Sequence, residues 1–162
     1  MRTIIVGCGR VGAGLAGRLV REGDEVIVID LRTEAFDRLD DDFPGQAIRA
    51  DGTDEDALRR AGVEGADRFF ALTEGDNRNI LAAQLAAERF AIRTVVAKIN
   101  DPVRAEAYAA LGLATICRTS MMVESLAQYL ERPYDKLQMR VQAPTGSHHE
   151  AGHALAPVPS ED

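Results

Sequence analysis

A glycine-rich hexapeptide between two apolar runs limits the folds open to this chain more than any other feature. Residues 7–12 read GCGRVG, which matches GxGxxG. Residues 3–6 before it are apolar and β-branched, as expected of a buried strand, and the residues after it have helical spacing. A second apolar run at 25–29 then ends in Asp30. This order of strand, glycine turn, helix, strand and acid is typical of a nucleotide-binding unit.

Each residue of that unit has a predicted physical role. Gly7 permits a tight turn off the strand, Gly9 lets the backbone approach a phosphate, and Gly12 lets the helix pack closely. The first N–H groups of the helix lack intrahelical partners and attract phosphate, and Arg10 can fork onto phosphate oxygens. Asp30 is placed to accept hydrogen bonds from ribose hydroxyls. Because its carboxylate repels a 2′-phosphate, NADP is disfavoured.

Residues 12–17 match GxGxxG a second time, but no strand precedes them. We therefore interpret them as a small-residue helix face against the sheet. Val11, Leu15 and Leu19 have the spacing of a single helix face. Cys8 lies inside the glycine turn. It is either a small residue that fits there or an exposed thiol.

Four further apolar runs alternate with helical segments. They are at residues 46–50, 68–72, 94–97 and 113–117. The predicted helices between and after them start near Thr33, Asp54, Asp76 or Asn77, Pro102, and Thr119 or Ser120, and the last runs over 121–130. Continuous apolar strands indicate a parallel sheet buried on both faces. The predicted fold is a Rossmann-type, doubly wound α/β sheet of six mainly parallel strands with helices on both faces.

In such a sheet the ligand lies at the carboxyl ends of the strands. That rule brings residues 7–12, Asp30, residues 51–53, Thr73, Glu74 and Lys98 to one crevice. The predicted nucleotide site within it consists of Gly7, Cys8, Gly9, Arg10, Val11, Gly12, Asp30, Asp51, Gly52, Thr73, Glu74 and Lys98. Two cations, Arg10 and Lys98, suit phosphates better than a bare adenosine. We expect no catalytic residue and no metal in this set.

The net charge of −7 argues against broad binding to nucleic acid or to an anionic membrane. No apolar run reaches membrane-spanning length, and the first strand begins at once without a signal-like segment. The two cysteines suggest no disulfide framework. A cytoplasmic location is expected. The run Asp40-Asp41-Asp42 is interpreted as a solvated charge cluster rather than a metal site.

The pattern changes near the C-terminal end. We expect the nucleotide-binding domain to cover 1–132, a linker or extra strand to cover 133–142, and a flexible tail to cover 143–162. The tail contains His149 and His153 in an HExxH match. Nearby prolines and Gly152 leave little room for a zinc-binding helix, so we interpret the match as fortuitous.

Residues 1–132 resemble the N-terminal nucleotide-binding lobe of regulators of potassium conductance, the KTN or TrkA-N family. The resemblance is carried by segments at five strand ends: 4–12, 28–30, 50–54, 71–73 with 79–83, and 96–102 with 111–112. It implies a regulatory subunit that binds NAD(H) or ATP/ADP and gates a membrane potassium transporter or channel of the Trk or Ktr type. It also implies a homodimer or larger ring at the inner face of the membrane.

The resemblance assigns parts of the ligand to parts of the site. It places phosphate on residues 7–12, ribose on Asp30, adenine beside Asp51 and Gly52, and the distal part at Thr73, Glu74 and Lys98. Many members carry a second, C-terminal lobe, for which about thirty residues are too few. We expect that lobe on another polypeptide, or a protein that works without it. Some members hold a bridging cation with a Glu where this chain has residues 118–120, reading RTS.

A small NAD-dependent oxidoreductase is the alternative function. It would need the same glycine turn and Asp30, together with a substrate pocket and a proton donor. All three histidines lie in the tail, and Lys98 is the remaining candidate acid. Turnover of a nicotinamide cofactor would favour the enzyme, whereas stoichiometric binding would favour the regulator.

Overall fold

Strands and helices alternate along the part of the chain that the structure, a computed structural model, describes, which is residues 1–131. The strands are β1 (Arg2–Val6), β2 (Glu25–Asp30), β3 (Gln46–Arg49), β4 (Arg68–Ala71), β5 (Thr94–Lys98) and β6 (Ala114–Ile116). The α-helices are α1 (Arg10–Arg21), α2 (Glu55–Arg60), α3 (Asp76–Gln84), α4 (Pro102–Ala110) and α5 (Arg118–Glu131). A 3₁₀ helix (Thr33–Arg38) follows β2, and a π-helical turn (Leu85–Arg89) extends α3.

The six strands form one sheet in the order β3-β2-β1-β4-β5-β6, and every pairing is parallel. The predicted Rossmann-type fold is therefore confirmed. Strand order reverses between β1 and β4, where Val6 pairs with Ile29 on one side and with Ala71 on the other. Loops diverge at such a point and leave a crevice beyond the strand ends.

Each face of the sheet has its own core, because side chains alternate along a strand. In β1, Ile4 contributes to one cluster together with Leu58 of α2 and Ile80 of α3. Ile5 points to the other face, into the cluster that contains Ala16 of α1. The central strand is buried on both sides, which explains its unbroken apolar sequence.

Side-chain caps fix the starts of two helices. The Asp54 carboxylate accepts hydrogen bonds from the N–H groups of Asp56 and Ala57, at 2.9 and 3.1 Å, so α2 begins at the predicted place. Asp101 caps α4 in the same way, with Pro102 at the first helical position. The segment after β2 differs from the prediction, since it is a 3₁₀ helix whose first residue is Thr33 rather than a capped α-helix.

The small-residue face predicted for α1 is confirmed, since Gly12, Ala13, Ala16 and Gly17 are buried, whereas 55% of the surface of Val11 is exposed. The predicted cap of the last helix is wrong. Helix α5 begins at Arg118, because the Cys117 sulfur accepts a hydrogen bond from the Ser120 N–H at 3.4 Å. The Thr119 hydroxyl instead donates to the Asn100 carbonyl at 2.7 Å.

Met1–Glu124 forms one compact unit that contains the whole sheet. The second unit is Ser125–Asp162, and the structure describes it only as far as the end of α5. The expected linker or strand at 133–142 and the tail at 143–162, with His149 and His153, lie outside the described residues.

Within residues 1–131, none of the helices combines the length and hydropathy needed to traverse a bilayer. The same residues contain no group of three or more His, Cys, Asp or Glu side chains placed to hold a metal ion.

Candidate functional site

A cleft of about 480 Å³ opens at the carboxyl ends of β1, β2, β3 and β4. Its volume falls within the range of small-molecule sites. Apolar side chains line it together with carboxylates, hydroxyls and guanidinium groups; the full set is Val6, Gly7, Gly9, Ile29, Asp30, Leu31, Arg32, Ala50, Asp51, Gly52, Thr53, Leu72, Thr73, Glu74 and Arg78.

Gly7 joins the end of β1 to the end of β4. Its φ is +105°, a conformation that favours glycine, and its N–H donates to the Ile29 carbonyl at 2.7 Å. A Cβ at this position would lie 2.7 Å from the Thr73 nitrogen. The glycine turn therefore packs closely against the backbone just after β4.

The start of α1 faces the same region without a side-chain cap. Gly9 is the N-cap residue, and no side chain accepts a hydrogen bond there. A Cβ on Gly9 would meet nothing within 4 Å, so the space beside it is open. A Cβ on Gly12 would instead collide with the Gly7 carbonyl oxygen. The helix therefore packs directly on the turn and presents its first N–H groups, which favour an anion.

Asp30 is held by the backbone on both of its oxygens. Oδ2 accepts a hydrogen bond from the Cys8 N–H at 2.8 Å, and Oδ1 accepts one from the Arg32 N–H at 2.9 Å. These two bonds fix the carboxylate between the glycine turn and the loop after β2. Each oxygen has a further lone pair, so the carboxylate can accept two more hydrogen bonds from a ligand.

Asp51 and Gly52 form a wall of the cleft beyond β3. The Asp51 carboxylate accepts hydrogen bonds from the Thr53 hydroxyl at 2.7 Å and from the Thr53 N–H at 2.9 Å. These bonds, helped by the positive charge of Arg78, hold the pKa of Asp51 below its ordinary value of 3.8. Gly52 lies so close to the Val6 side chain that a Cβ at position 52 would collide with it.

Thr73 is fixed by a fully buried side chain from α3. The Asn79 Oδ1 accepts hydrogen bonds from the Thr73 N–H at 2.8 Å and from its hydroxyl at 2.7 Å. Asn79 Nδ2 returns a bond to the Thr73 carbonyl at 3.0 Å. The loop after β4 is thereby held in place beside the cleft.

Lys98 and Glu74 form an ion pair whose two members differ in burial. The Lys98 Nζ is 3.7 Å from a Glu74 carboxylate oxygen, and the two side chains are 6% and 81% exposed. A screened pair with one exposed partner is weak. Glu74 also lines the cleft, so it connects the buried ammonium group to the site.

The structure brings seven of the twelve predicted site residues to the cleft lining and leaves five outside it. The seven are Gly7, Gly9, Asp30, Asp51, Gly52, Thr73 and Glu74. Of the other five, Arg10 and Val11 are exposed at the start of α1, whereas Cys8, Gly12 and Lys98 are buried. Their assignment as ligand contacts stays a prediction.

Cys8 is not an exposed thiol. Its side chain has no exposed surface, and burial, with the nearby charge of Asp30, raises the pKa of the thiol to about 11. The role of Cys8 in this turn is a main-chain one, since its N–H holds Asp30.

Thr53 lines the cleft, as the strand-end rule predicts, whereas two further polar side chains of the cleft, Arg32 and Arg78, were not predicted. Arg32 follows the predicted site residue Asp30 by two positions, so turn chemistry after a strand gave an available signal. Arg78 lies on the first turn of α3 and carries no comparable signal, because its position depends on how α3 packs.

The parallel sheet with its strand-order reversal, the glycine turn and the fixed acid at the end of β2 define the class of Rossmann-type nucleotide-binding folds. Within that class, residues 3–119 match the model of the TrkA-N domain. The chain belongs to the TrkA-N domain family.

Relatives with assigned names agree with this membership. The Trk system potassium uptake protein TrkA of Streptomyces coelicolor is 42% identical over 80% of this chain and 58% of its own length. A TrkA homolog of Pyrococcus abyssi is 36% identical over 63% of this chain and 45% of its own length. The chain therefore spans about half the length of these curated relatives.

Solved structures share the fold at low sequence identity. The TrkA-N domain of the inner membrane protein ybaL from Escherichia coli has a TM-score of 0.70 at 16% identity and covers 80% of this chain and 96% of its own. The AMP-bound Kef C-terminal domain of Shewanella denitrificans has a TM-score of 0.66 at 21% identity, over 81% and 82% of the two chains. These likenesses concern the fold alone.

Proposed function

We propose that this chain binds an adenine nucleotide, NAD(H) or ATP/ADP, in the cleft and acts as a regulatory domain rather than as an enzyme. The observation that carries the proposal is the Asp30 carboxylate, fixed by the Cys8 and Arg32 N–H groups at the mouth of the uncapped α1 helix. A carboxylate for ribose next to a helix start for phosphate is the combination that a nucleotide requires.

The parts of the ligand follow from the parts of the site. Phosphate lies at the open space beside Gly9 and the first N–H groups of α1, with Arg10 as the nearest cation of that helix end. Ribose hydroxyls donate to Asp30, and the adenine lies toward Asp51. The carboxylate of Asp30 repels a 2′-phosphate, which disfavours NADP.

The distal part of the ligand reaches Thr73, Glu74 and, through displacement of the weak ion pair, Lys98. A phosphate is a stronger partner for a buried ammonium group than an exposed Glu74 carboxylate is. This end of the site is the one where a mononucleotide and a dinucleotide differ. It is also the end that could distinguish two ligand states in a regulatory cycle.

The regulated protein in this proposal is a membrane potassium transporter or channel, bound from the cytoplasmic side. The names of the relatives, potassium uptake proteins of the Trk system, support this role. A homodimer or larger ring fits the exposed apolar side chains at the start of α5, among them Met122 and Val123. Nucleotide binding that differs between two assembly states would then shift the transporter between its own states.

Calorimetric titration of the full chain with ADP, ATP, NAD⁺ and NADH tests the proposal. We expect one site per chain for at least one of these compounds, and Asp30→Ala should weaken binding about 5- to 150-fold because charged hydrogen bonds to ribose are lost. Asp42→Ala, an exposed carboxylate outside the cleft, is the matched control. Absence of binding to all four compounds would overturn the proposal.

A second measurement separates the regulator from the oxidoreductase. The nucleotide that copurifies with the chain is identified by mass spectrometry, and its effect on the oligomer is followed by light scattering. If the chain is a regulator, we expect the nucleotide to be released chemically unchanged and the size of the oligomer to change when the nucleotide binds. Consumption of NADH with a small substrate would instead identify an enzyme.

A further inference from the structure

We propose that Arg32 and Arg78 hold the adenine base between them by stacking their guanidinium planes on its faces. This inference rests on the proposed function, because it concerns how the same cleft recognises its nucleotide. The two arginines come from different walls, Arg32 from the loop after β2 and Arg78 from the first turn of α3.

Both side chains are exposed and line the cleft. Within residues 1–131, neither guanidinium group forms a hydrogen bond or an ion pair, although Arg59 and Arg89 are paired with Glu55. An arginine that lines a cleft without a protein partner is available to a ligand.

The backbone places Arg32 beside the ribose position. Its N–H donates to Asp30 Oδ1 at 2.9 Å, so the side chain starts one hydrogen bond away from the carboxylate that is expected to hold ribose. Arg78, from α3, also lines the cleft, and its positive charge acts on the Asp51 carboxylate. In the proposed arrangement, a base attached to that ribose and directed toward Asp51 lies between the two arginines.

The rest of the lining leaves the arginines as the natural partners of a base. Among the described residues, those that line the cleft include no aromatic ring, and its apolar side chains are Val6, Ile29, Leu31, Ala50 and Leu72. Guanidinium planes stack on π-systems and on nucleic-acid bases, which makes them substitutes for aromatic side chains.

Charge distinguishes base stacking from a phosphate role. The main-chain N–H of Arg32 is bonded to Asp30, and Arg78 acts electrostatically on Asp51, so a phosphate beside either residue would also approach a carboxylate that repels it. A neutral base has no such penalty. The phosphates have their own site at the start of α1.

The experiment compares adenosine, which has no phosphate, with ADP. Dissociation constants are measured by NMR titration for the wild-type chain and for Arg32→Ala, Arg78→Ala, Arg32→Lys and Arg78→Lys. We expect each alanine variant to weaken both ligands alike, about 3- to 30-fold, since the base is common to them. The lysine variants keep the charge but lose the plane, so they should not restore affinity.

Two controls define the result. Arg60→Ala, an exposed arginine at the end of α2, should leave both affinities unchanged. Arg10→Ala should weaken ADP more than adenosine, as a phosphate contact does. Thermal unfolding confirms that each variant is folded before its affinity is interpreted.

The outcomes separate this inference from the function on which it rests. Loss confined to ADP and restored by lysine would assign a phosphate role and overturn the stacking inference. If the wild-type chain binds both compounds and the arginine variants bind them with the same affinity, the stacking inference is overturned and the proposed function stays intact. Failure of the wild-type chain to bind adenosine, ADP, ATP, NAD⁺ and NADH would overturn both.

Discussion

Asn79 donates a hydrogen bond from its side-chain Nδ2 to the main-chain carbonyl of Lys98 at 2.7 Å. The same side chain holds Thr73, so one buried amide from α3 joins the loop after β4 to the end of β5. Both strand ends belong to the predicted nucleotide site. The distal part of that site is therefore positioned by a residue that does not itself line the cleft.

Replacing Asn79 by leucine tests this link. Leucine has a similar size but cannot pair with the Thr73 N–H or the Lys98 carbonyl, which would be left buried without partners. We expect the free energy of unfolding to fall by about 2–4 kcal/mol, measured by urea denaturation. Asn77→Leu, on the exposed side of the same helix, removes only a solvent-exposed hydrogen bond from Arg104 and should change it by less than about 1 kcal/mol. If both variants lower the free energy of unfolding by similar amounts, the hydrogen bonds of Asn79 do not contribute more to stability than an exposed side chain of the same helix does.

Two glycines of α1 provide a second matched test. A Cβ on Gly12 would collide with the Gly7 carbonyl oxygen, whereas a Cβ on Gly14 would meet nothing within 4 Å. Gly12→Ala should therefore destabilise the fold by about 1–3 kcal/mol, because α1 must move off the turn. Gly14→Ala should stabilise it by about 0.5–1 kcal/mol through the better helix propensity of alanine. Thermal unfolding gives both values. A Gly12→Ala variant as stable as the wild-type chain would show that α1 and the glycine turn can separate at little cost in free energy.

The sequence was sufficient to predict the fold because its signals are local. A GxGxxG between two strand patterns, with Asp30 after the second, specifies the first half of the sheet and its acid. The strand ends that carry Asp51 and Thr73 follow from the same alternation. Seven predicted site residues lie together in the cleft for that reason.

The details that escaped prediction depend on packing rather than on local pattern. Val11 has helical spacing with Leu15 and Leu19, yet more than half of its surface is exposed, because the predicted small-residue face of α1 is the one that packs on the sheet. Asn79 is polar, so its hydropathy does not predict burial. It is buried because its amide pairs with main-chain groups of Thr73 and Lys98 at two strand ends. Arg78 reaches the cleft only because α3 packs beside β4.

The Thr53–Asp51 pair predicts a specific acid dependence. The pKa of Asp51 is lower in the folded chain than its ordinary value of 3.8. The ionised carboxylate therefore stabilises the fold above about pH 4, and this contribution is lost as the pH falls through the folded-state pKa. Thr53→Val removes the hydroxyl donor, so the pKa of Asp51, measured by NMR of its carboxyl carbon, should rise toward 3.8. Thr94→Val is the control, and an unmoved pKa in Thr53→Val would mean that the hydroxyl does not govern it.

The two cysteines should differ sharply in reactivity. Cys8 is fully buried, and its thiol pKa of about 11 leaves only on the order of 0.1% thiolate at pH 8. Burial pushes the pKa of Cys117 upward, but hydrogen bonds from Ser120 and Thr119 outweigh it and hold that pKa below its ordinary value of 9.0.

Alkylation of the native chain with iodoacetamide at pH 8, followed by peptide mass spectrometry, should modify Cys117 well before Cys8. Cys117→Ser should remove the fast phase and leave the slow one, and urea should make Cys8 react like an ordinary thiol because unfolding removes its burial. Fast labelling of Cys8 in the native state would mean that the glycine turn opens readily. The Asp30 carboxylate, which depends on the Cys8 N–H, would then not be held in a fixed position before a nucleotide binds.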